Sequence, residues 1–426
     1  MRRLLDWALG AAILATLSGL LWQRWRAPPV SPLPVAAVAV VVPEAVSPSV
    51  EPTPVDVESA GAAHMPTGGR FVGGLVVITT PAALIKTVGI DEFATMHMGS
   101  PIAGGWTWEV VPNPGSATTL KAIGFQGGVL AVGAAAARVV AWRPGTALAE
   151  LGSWDWPSEA DGWMDIAAAD FDADGDSDFA AGGYDAGVVM LGRSVDGDVQ
   201  FEILRARDRT RVSSVLWADL DADGRVELVT AAAQGLRGES GEIEVFSRVG
   251  GAWMSMVTWS STEFFTREIR AGDSNGDRVP EVLGLRPGLV KDGVTAGAVL
   301  VEFDRSVVPW RPKPLATIPA PACHSSTFAD VDGDGRDEWV GSCVKKGVWT
   351  FRKGSVEAVD AQSDGMMHAM AAGDLDNDGR DELYVADEPS REVRKYRLTD
   401  AGWTYDVVAS FPAGATVFAM SVIGDR

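Results

Sequence analysis

The sequence predicts an all-β protein, a seven-bladed β-propeller preceded by a transmembrane or signal segment. Three observations predict it. An acidic nonapeptide recurs five times, at intervals of 49, 54, 57 and 44 residues. Each copy lies between short apolar runs of strand length, as in "SSVLWAD" before and "LVTAAA" after Asp219. The runs left over at both ends suffice for two further units. A period of 40 to 57 residues with four short strands per period is the composition of a propeller blade. Six or eight blades remain as alternative counts.

The elements follow in chain order. Residues 1–26, "MRRLLDWALGAAILATLSGLLWQRWR", place an apolar stretch from Leu4 to Trp22 between arginines. That length just spans a bilayer as a helix, so the segment reads as a membrane anchor or a long signal peptide. Either reading puts the rest of the chain outside the cytoplasm: periplasmic, cell-surface or secreted. Residues 27–68 hold nine prolines and no aromatic residue, which makes an extended spacer. The propeller is assigned to residues 69–426.

Within it, residues 118–160, with "TTLKAIGF", "GVLAVGA", "RVVAWRP" and "ALAELGSWDW", form a blade without an acidic loop. The C-terminal "ATVFAMSVIGD" reads as one more first strand. Its missing partners are expected on the N-terminal side, in "GGLVVITT", "ALIKTVGI" and "GWTWEVVP". "GWTWEVV" at 105–111 matches "GWTYDVV" at 402–408, which ends the sixth blade counted from residue 118. Joining the two ends closes the ring and removes the open sheet edges of a linear array.

The nonapeptides carry the chemistry. They are "DFDADGDSD" from Asp170, "DLDADGRVE" from Asp219, "DSNGDRVPE" from Asp273, "DVDGDGRDE" from Asp330 and "DLDNDGRDE" from Asp374. A hard cation such as calcium takes six to eight oxygens, and alternate side chains of a tight loop converge on it. The expected side-chain ligands are Asp170, Asp172, Asp174 and Asp178; Asp219, Asp221, Asp223 and Glu227; Asp273, Asn275, Asp277 and Glu281; Asp330, Asp332, Asp334 and Glu338; Asp374, Asp376, Asp378 and Glu382. The position-7 carbonyls of Asp176, Arg225, Val279, Arg336 and Arg380 should lie beside them. Position 12, where an EF-hand has its closing Glu, holds Ala181, Thr230, Gly284, Gly341 and Val385. Strands flank the loops, so each ion would staple a β-hairpin. About five calcium ions would roughly halve the formal charge of −21. The Asp273 loop should bind most weakly, because Asn275 replaces an aspartate and Arg278 replaces the turn glycine.

These five hairpins at blade spacing resemble FG-GAP/VCBS repeats, the family that includes the N-terminal propeller of integrin α subunits. The resemblance covers residues 118–426, or 70–426 with ring closure. It implies a calcium-binding propeller whose ions brace the blades on the face opposite the usual ligand-binding rim. The Phe-Gly and Gly-Ala-Pro signatures are poorly kept here, which places the match nearer bacterial VCBS-type copies.

Cys323 and Cys343 flank the Asp330 loop with midpoint 333, beside the loop's own midpoint of 334. They should face each other across the hairpin as a disulfide, with two buried thiols as the alternative. An extracytoplasmic location favours the bridge. His324 and His368 each precede a first metal aspartate by six residues, so both belong at the channel mouth. With Arg267 they are the candidate ligand rim, and Met366, Met367, Met370 and the Met96-His97-Met98 triplet are the soft-ligand candidates. No nucleophile motif, zinc signature or phosphate-binding glycine loop occurs, so no catalytic residue is assigned. The acidic charge speaks against nucleic acid. The expected role is an interaction, adhesion or scaffold module with a protein or glycan partner. A polysaccharide lyase or hydrolase with a site at the channel mouth is the alternative, and an envelope assembly factor is a third.

Overall fold

The structure is a computed structural model that describes residues 63–64, 73–81, 95–111, 119–133, 138–146, 149–153, 163–183, 187–206, 211–233, 241–261, 268–288, 290–291, 294–320, 322–344, 346–362, 369–411 and 413–423. Among these residues it is all-β, with seven antiparallel blades of four strands each, one of them extended by a fifth, and a small hairpin of Val290–Lys291 and Val294–Thr295. Residues 1–26 and nearly all of the spacer lie outside the described set. Among the described residues no helix is long and apolar enough to cross a membrane.

Blade 1 joins both ends of the chain in the order Ala415–Ile423, Gly74–Pro81, Thr95–Ile102, Gly105–Val111. Blade 2 spans Thr119–Phe125 to Ala149–Ser153 and blade 3 spans Trp163–Ala169 to Asp198–Arg205. Blade 4 runs from Arg211–Ala218 to Ala252–Ser261, and blade 5 from Ile269–Gly272 to Arg311–Ile318. Blade 6 covers Cys323–Ala329 to Ser355–Asp360, and blade 7 covers Met370–Gly373 to Gly402–Ser410. The first strand of each blade touches the first strands on either side, and Ala415–Ile423 touches those of blades 2 and 7. The ring is closed with seven blades.

Ring closure uses the expected strands at both ends, with one shift in between. The third strand of blade 1 is Thr95–Ile102; "ALIKTVGI" falls largely within 82–94, outside the described residues. Thr95–Ile102 pairs residue for residue with both neighbours, Val77 opposite His97 and His97 opposite Val110. A second addition comes from the stretch read as spacer. Ala63–His64 pairs antiparallel with Val199 and Asp198, on the outer edge of blade 3.

Burial explains the strand patterns. A blade is sandwiched between two others, so its inner strands bury both faces and lose the alternation of a half-exposed sheet. Asp178–Gly183, Glu338–Cys343 and Glu382–Asp387 are buried at every position. The outermost strands, such as Ala252–Ser261, are largely exposed. Seven apolar clusters hold the ring, one between each adjacent pair of blades, with Trp142, Phe179, Trp339 and Tyr396 among their largest members. Spacing between strands is tight where an aromatic ring crosses the sheet. A Cβ on Gly192 would stand 2.1 Å from the Phe179 ring, so only glycine fits there.

Candidate metal centre

The five acidic loops join the first and second strands of blades 3 to 7, and all adopt one backbone conformation. Position 1 accepts the N–H groups of positions 5 and 6 on its two carboxylate oxygens. Asp170 takes those of Asp174 and Gly175, Asp219 those of Asp223 and Gly224, and Asp374 those of Asp378 and Gly379. Asp273 and Asp330 repeat the pattern. Position 9 reaches back to accept the N–H of position 2, from Leu220 to Glu227, Val331 to Glu338 and Leu375 to Glu382. Position 5 accepts the N–H of position 7, as Asp334 does from Arg336. The loop is thus wound around its own carboxylates before any ion is considered.

Backbone signs agree with this winding. Position 6 has positive φ in all five loops: Gly175, Gly224, Gly335 and Gly379, and also Arg278 at 70°. Position 4 is left-handed too, a requirement the sequence reading missed. It is met by Ala173, Ala222, Gly276, Gly333 and Asn377. Two alanines and an arginine therefore hold conformations that favour glycine.

Four loops bring the carboxylates of positions 1, 3 and 9 together within 4.8 Å of one another. The groups are Asp170, Asp172 and Asp178; Asp219, Asp221 and Glu227; Asp330, Asp332 and Glu338; Asp374, Asp376 and Glu382. Position 5 (Asp174, Asp223, Asp334 and Asp378) stands outside these triads, with one oxygen engaged by the position-7 N–H of Asp176, Arg225, Arg336 and Arg380. The Asp273 loop differs. The Asn275 amide donates to Glu281 at 2.5 Å, while Asp277 accepts from Val279. Four triads form among the described residues, and the Asp273 loop, expected to bind most weakly, is not one of them.

The residues fit a cation on two grounds. Asp178 is fully buried, yet its Oδ2 has no hydrogen-bond partner, and Asp172 Oδ1 and Asp332 Oδ1 are likewise buried and unpartnered. Such oxygens carry a desolvation cost that a bound ion removes. The second ground is mutual repulsion. Burial, followed by the Asp172 and Asp174 charges, pushes the Asp178 carboxyl up to about 7. Burial and the charges of Asp332, Asp334 and Asp330 push Glu338 up to about 7 as well. Glu227 and Glu382 shift the same way, burial first.

Protein cations offset part of this repulsion, unevenly. Arg193 lies 2.6 Å from Asp172, and Lys353 lies 2.7 Å from Asp332. Lys395 lies 2.6 Å from Glu382 and 3.3 Å from Asp376. Against the burial of Asp332, Lys353 and Arg352 hold it below the usual carboxylate range. Arg193, Arg352 and Lys395 come from the third strand of their blades, and Lys353 from the turn that follows it in blade 6. The Asp219, Asp221, Glu227 triad has no such partner among the described residues.

Position 2 ties the loops to their neighbours. Phe171 stacks on Trp217 of blade 4, with ring centroids 5.5 Å apart and an interplanar angle of 11°. Leu220 packs in the core between blades 4 and 5, Val331 in that between 6 and 7, and Leu375 in that between 7 and 1. The residue whose N–H closes onto position 9 is therefore the one that plugs the next blade.

Residues 170–230, the loop of blade 3 through the second-strand start of blade 4, match the FG-GAP-like repeat family model. This seven-bladed β-propeller contains an FG-GAP-like repeat. No curated protein matches this propeller by sequence. Among solved structures, it is similar to a "putative 6-phosphogluconolactonase" from Bacteroides uniformis ATCC 8492. The two are 12% identical with a TM-score of 0.48, covering 82% of this chain and 99% of that one.

The remaining sequence candidates divide three ways. A disulfide joins Cys323 and Cys343, which are direct cross-strand partners, and both half-cystines are buried. His97 Nε2 hydrogen-bonds Thr79 Oγ1 at 3.0 Å, and burial lowers its pKa. Met96 and Met98 pack into the core between blades 1 and 2, and Met370 into that between 6 and 7, so these methionines are packing residues. Arg267, Met366, Met367 and His368 and the His324 side chain lie outside the described residues.

Proposed function

We propose that this FG-GAP-repeat propeller is an extracytoplasmic interaction module braced by calcium at the loops of blades 3, 4, 6 and 7. The observation that carries the reading is the repeated triad, which in blades 3 and 6 has buried, unpartnered carboxylate oxygens. All the donors are oxygens, which suits a hard cation. Calcium tolerates the irregular coordination of a nine-residue loop better than magnesium, which demands a near-ideal octahedron. When bound, the ion supplies positive charge to the triad. The chain supplies a prewound loop, a buried position-9 carboxylate and a position-2 plug in the next blade. A brace of this kind keeps the ring rigid while a partner, a protein or a glycan, docks on it. The Cys323–Cys343 disulfide supports a location outside the reducing cytoplasm.

Calcium removal tests the reading directly. At a free ion concentration ten times Kd, each site adds about 1.4 kcal/mol to stability. Four sites together add about 6 kcal/mol, so EGTA should lower Tm by several degrees and calcium should restore it. A Tm indifferent to both would overturn the reading. Cross-linking from an envelope or extracellular fraction, with and without EGTA, would then identify the partner.

A further inference from the structure

The loops of blades 5, 6 and 7 touch one another in a way those of blades 3 and 4 do not. At the 5–6 junction, the Asp273 N–H donates to Asp337 Oδ2 at 2.9 Å, and the Asp337 N–H donates to the Asp273 carbonyl at 2.9 Å. At the 6–7 junction the pair recurs: Asp330 N–H to Asp381 Oδ2 at 3.0 Å, and Asp381 N–H to the Asp330 carbonyl at 2.8 Å. In both, position 8 of one loop clasps position 1 of the loop before it.

The sequence explains why only these two junctions are clasped. The clasp needs a carboxylate and an N–H at position 8, and only Asp337 and Asp381 supply both. The other loops have Ser177, Val226 and Pro280 there. A second contact accompanies each clasp. The position-7 arginine lies across position 4 of the preceding loop. A Cβ on Gly276 would stand 3.1 Å from Arg336 Nε, and one on Gly333 would stand 3.0 Å from Arg380 Cγ. Glycine occupies position 4 in the two clasped loops, where the others have Ala173, Ala222 and Asn377.

We propose that the loops of blades 5, 6 and 7 form one coupled arc, with cations at blades 6 and 7, linked through Asp337 and Asp381. This rests on the reading that the triads bind a cation. Asp330 is a triad member, and its carboxylate organises the Gly333, Asp334 and Gly335 N–H groups. Asp381 lies next to Glu382, which closes the blade 7 triad. An ion that fixes Glu382 thereby fixes Asp381, which fixes the backbone of Asp330. The coupling is reciprocal, so an ion at Asp330 also favours one at Asp374. The Asp273 loop, which lacks a triad, is held by Asp337.

Hydrogen exchange of the full chain, followed peptide by peptide through a calcium titration, reads each loop separately. In the wild type, peptides covering 330–338 and 374–382 gain protection at a common midpoint. In Asp381→Ala the 330–338 midpoint moves about fivefold or more to higher calcium, while those of 170–178 and 219–227 stay in place. An unchanged 330–338 midpoint in that variant overturns the coupling and leaves the cation reading standing. Absence of calcium-dependent protection in every wild-type loop overturns the cation reading itself, and the coupling with it. Asp337→Ala provides an independent arm should Asp381→Ala not fold. At saturating calcium it speeds exchange in 273–281 several-fold, and unaltered exchange there overturns the clasp at blade 5.

Discussion

Asp178 shows how one side chain carries two opposed demands. Buried beside Asp172 and Asp174, it keeps its proton to about pH 7, against about 4 in an unfolded chain. A raised carboxyl favours the fold below its unfolded pKa, and that benefit is lost as pH rises through the folded value. Glu338 behaves alike. The ion-free propeller therefore weakens between about pH 4 and 7, while cation binding strengthens over the same interval because the ligands must ionise. The calcium-induced rise in Tm should be larger at pH 8 than at pH 5.5; an equal rise at both would contradict this account. Lys395 poses a separate test. Its ammonium occupies the blade 7 triad, so Lys395→Met should tighten calcium at the Asp374 loop several-fold by titration, and no gain would show that the lysine does not compete. The carboxylates that cluster in the triads were legible from spacing. Lys395, Lys353 and Arg193 were not, because they come from third strands or the turn after one, which only the fold brings to the loop.

A loop is the smallest element in which sequence and fold can be compared position by position. The turn at position 6 was readable from four glycines, and Arg278 stood out as the exception. Position 4 was opaque, since Ala173 and Ala222 give no local hint of a left-handed backbone. Arg278→Gly should stabilise the protein by up to about 1 kcal/mol, as relief of the left-handed strain outweighs the freedom glycine gains in the unfolded chain. Urea unfolding at saturating calcium measures it, and a loss of stability would refute the strain. The clasp residues Asp337 and Asp381 sat in plain view, yet nothing in a single loop says that position 8 faces the loop before it. That relation belongs to the stacking of blades.

At the scale of the molecule, ring closure was legible because "GWTWEVV" and "GWTYDVV" mark equivalent outer strands at either end. The third strand of blade 1 was misplaced, since Thr95–Ile102 mixes Met, His, Gly, Ser and Pro where "ALIKTVGI" offers the stronger apolar run. Its buried positions, Met96, Met98 and Gly99, are followed by an exposed Pro101-Ile102 end, so composition was a poor guide. Deleting residues 415–426 should leave no folded monomer by circular dichroism and size exclusion. A compact truncated chain would show that blade 1 stands with three strands. The same strand has a consequence for the order of events in folding. Gly74–Pro81 is made early, but its inner partner Ala415–Ile423 comes last among the described strands. Until it arrives, blade 1 has an open edge, and its hydrogen-bonding groups are free to pair with any matching strand. The longest-range pairing in the fold is thus also its final step, which predicts slow closure. In crowded nascent chains the Ala415–Ile423 strand of one copy can complete the first blade of another, giving strand-exchanged dimers.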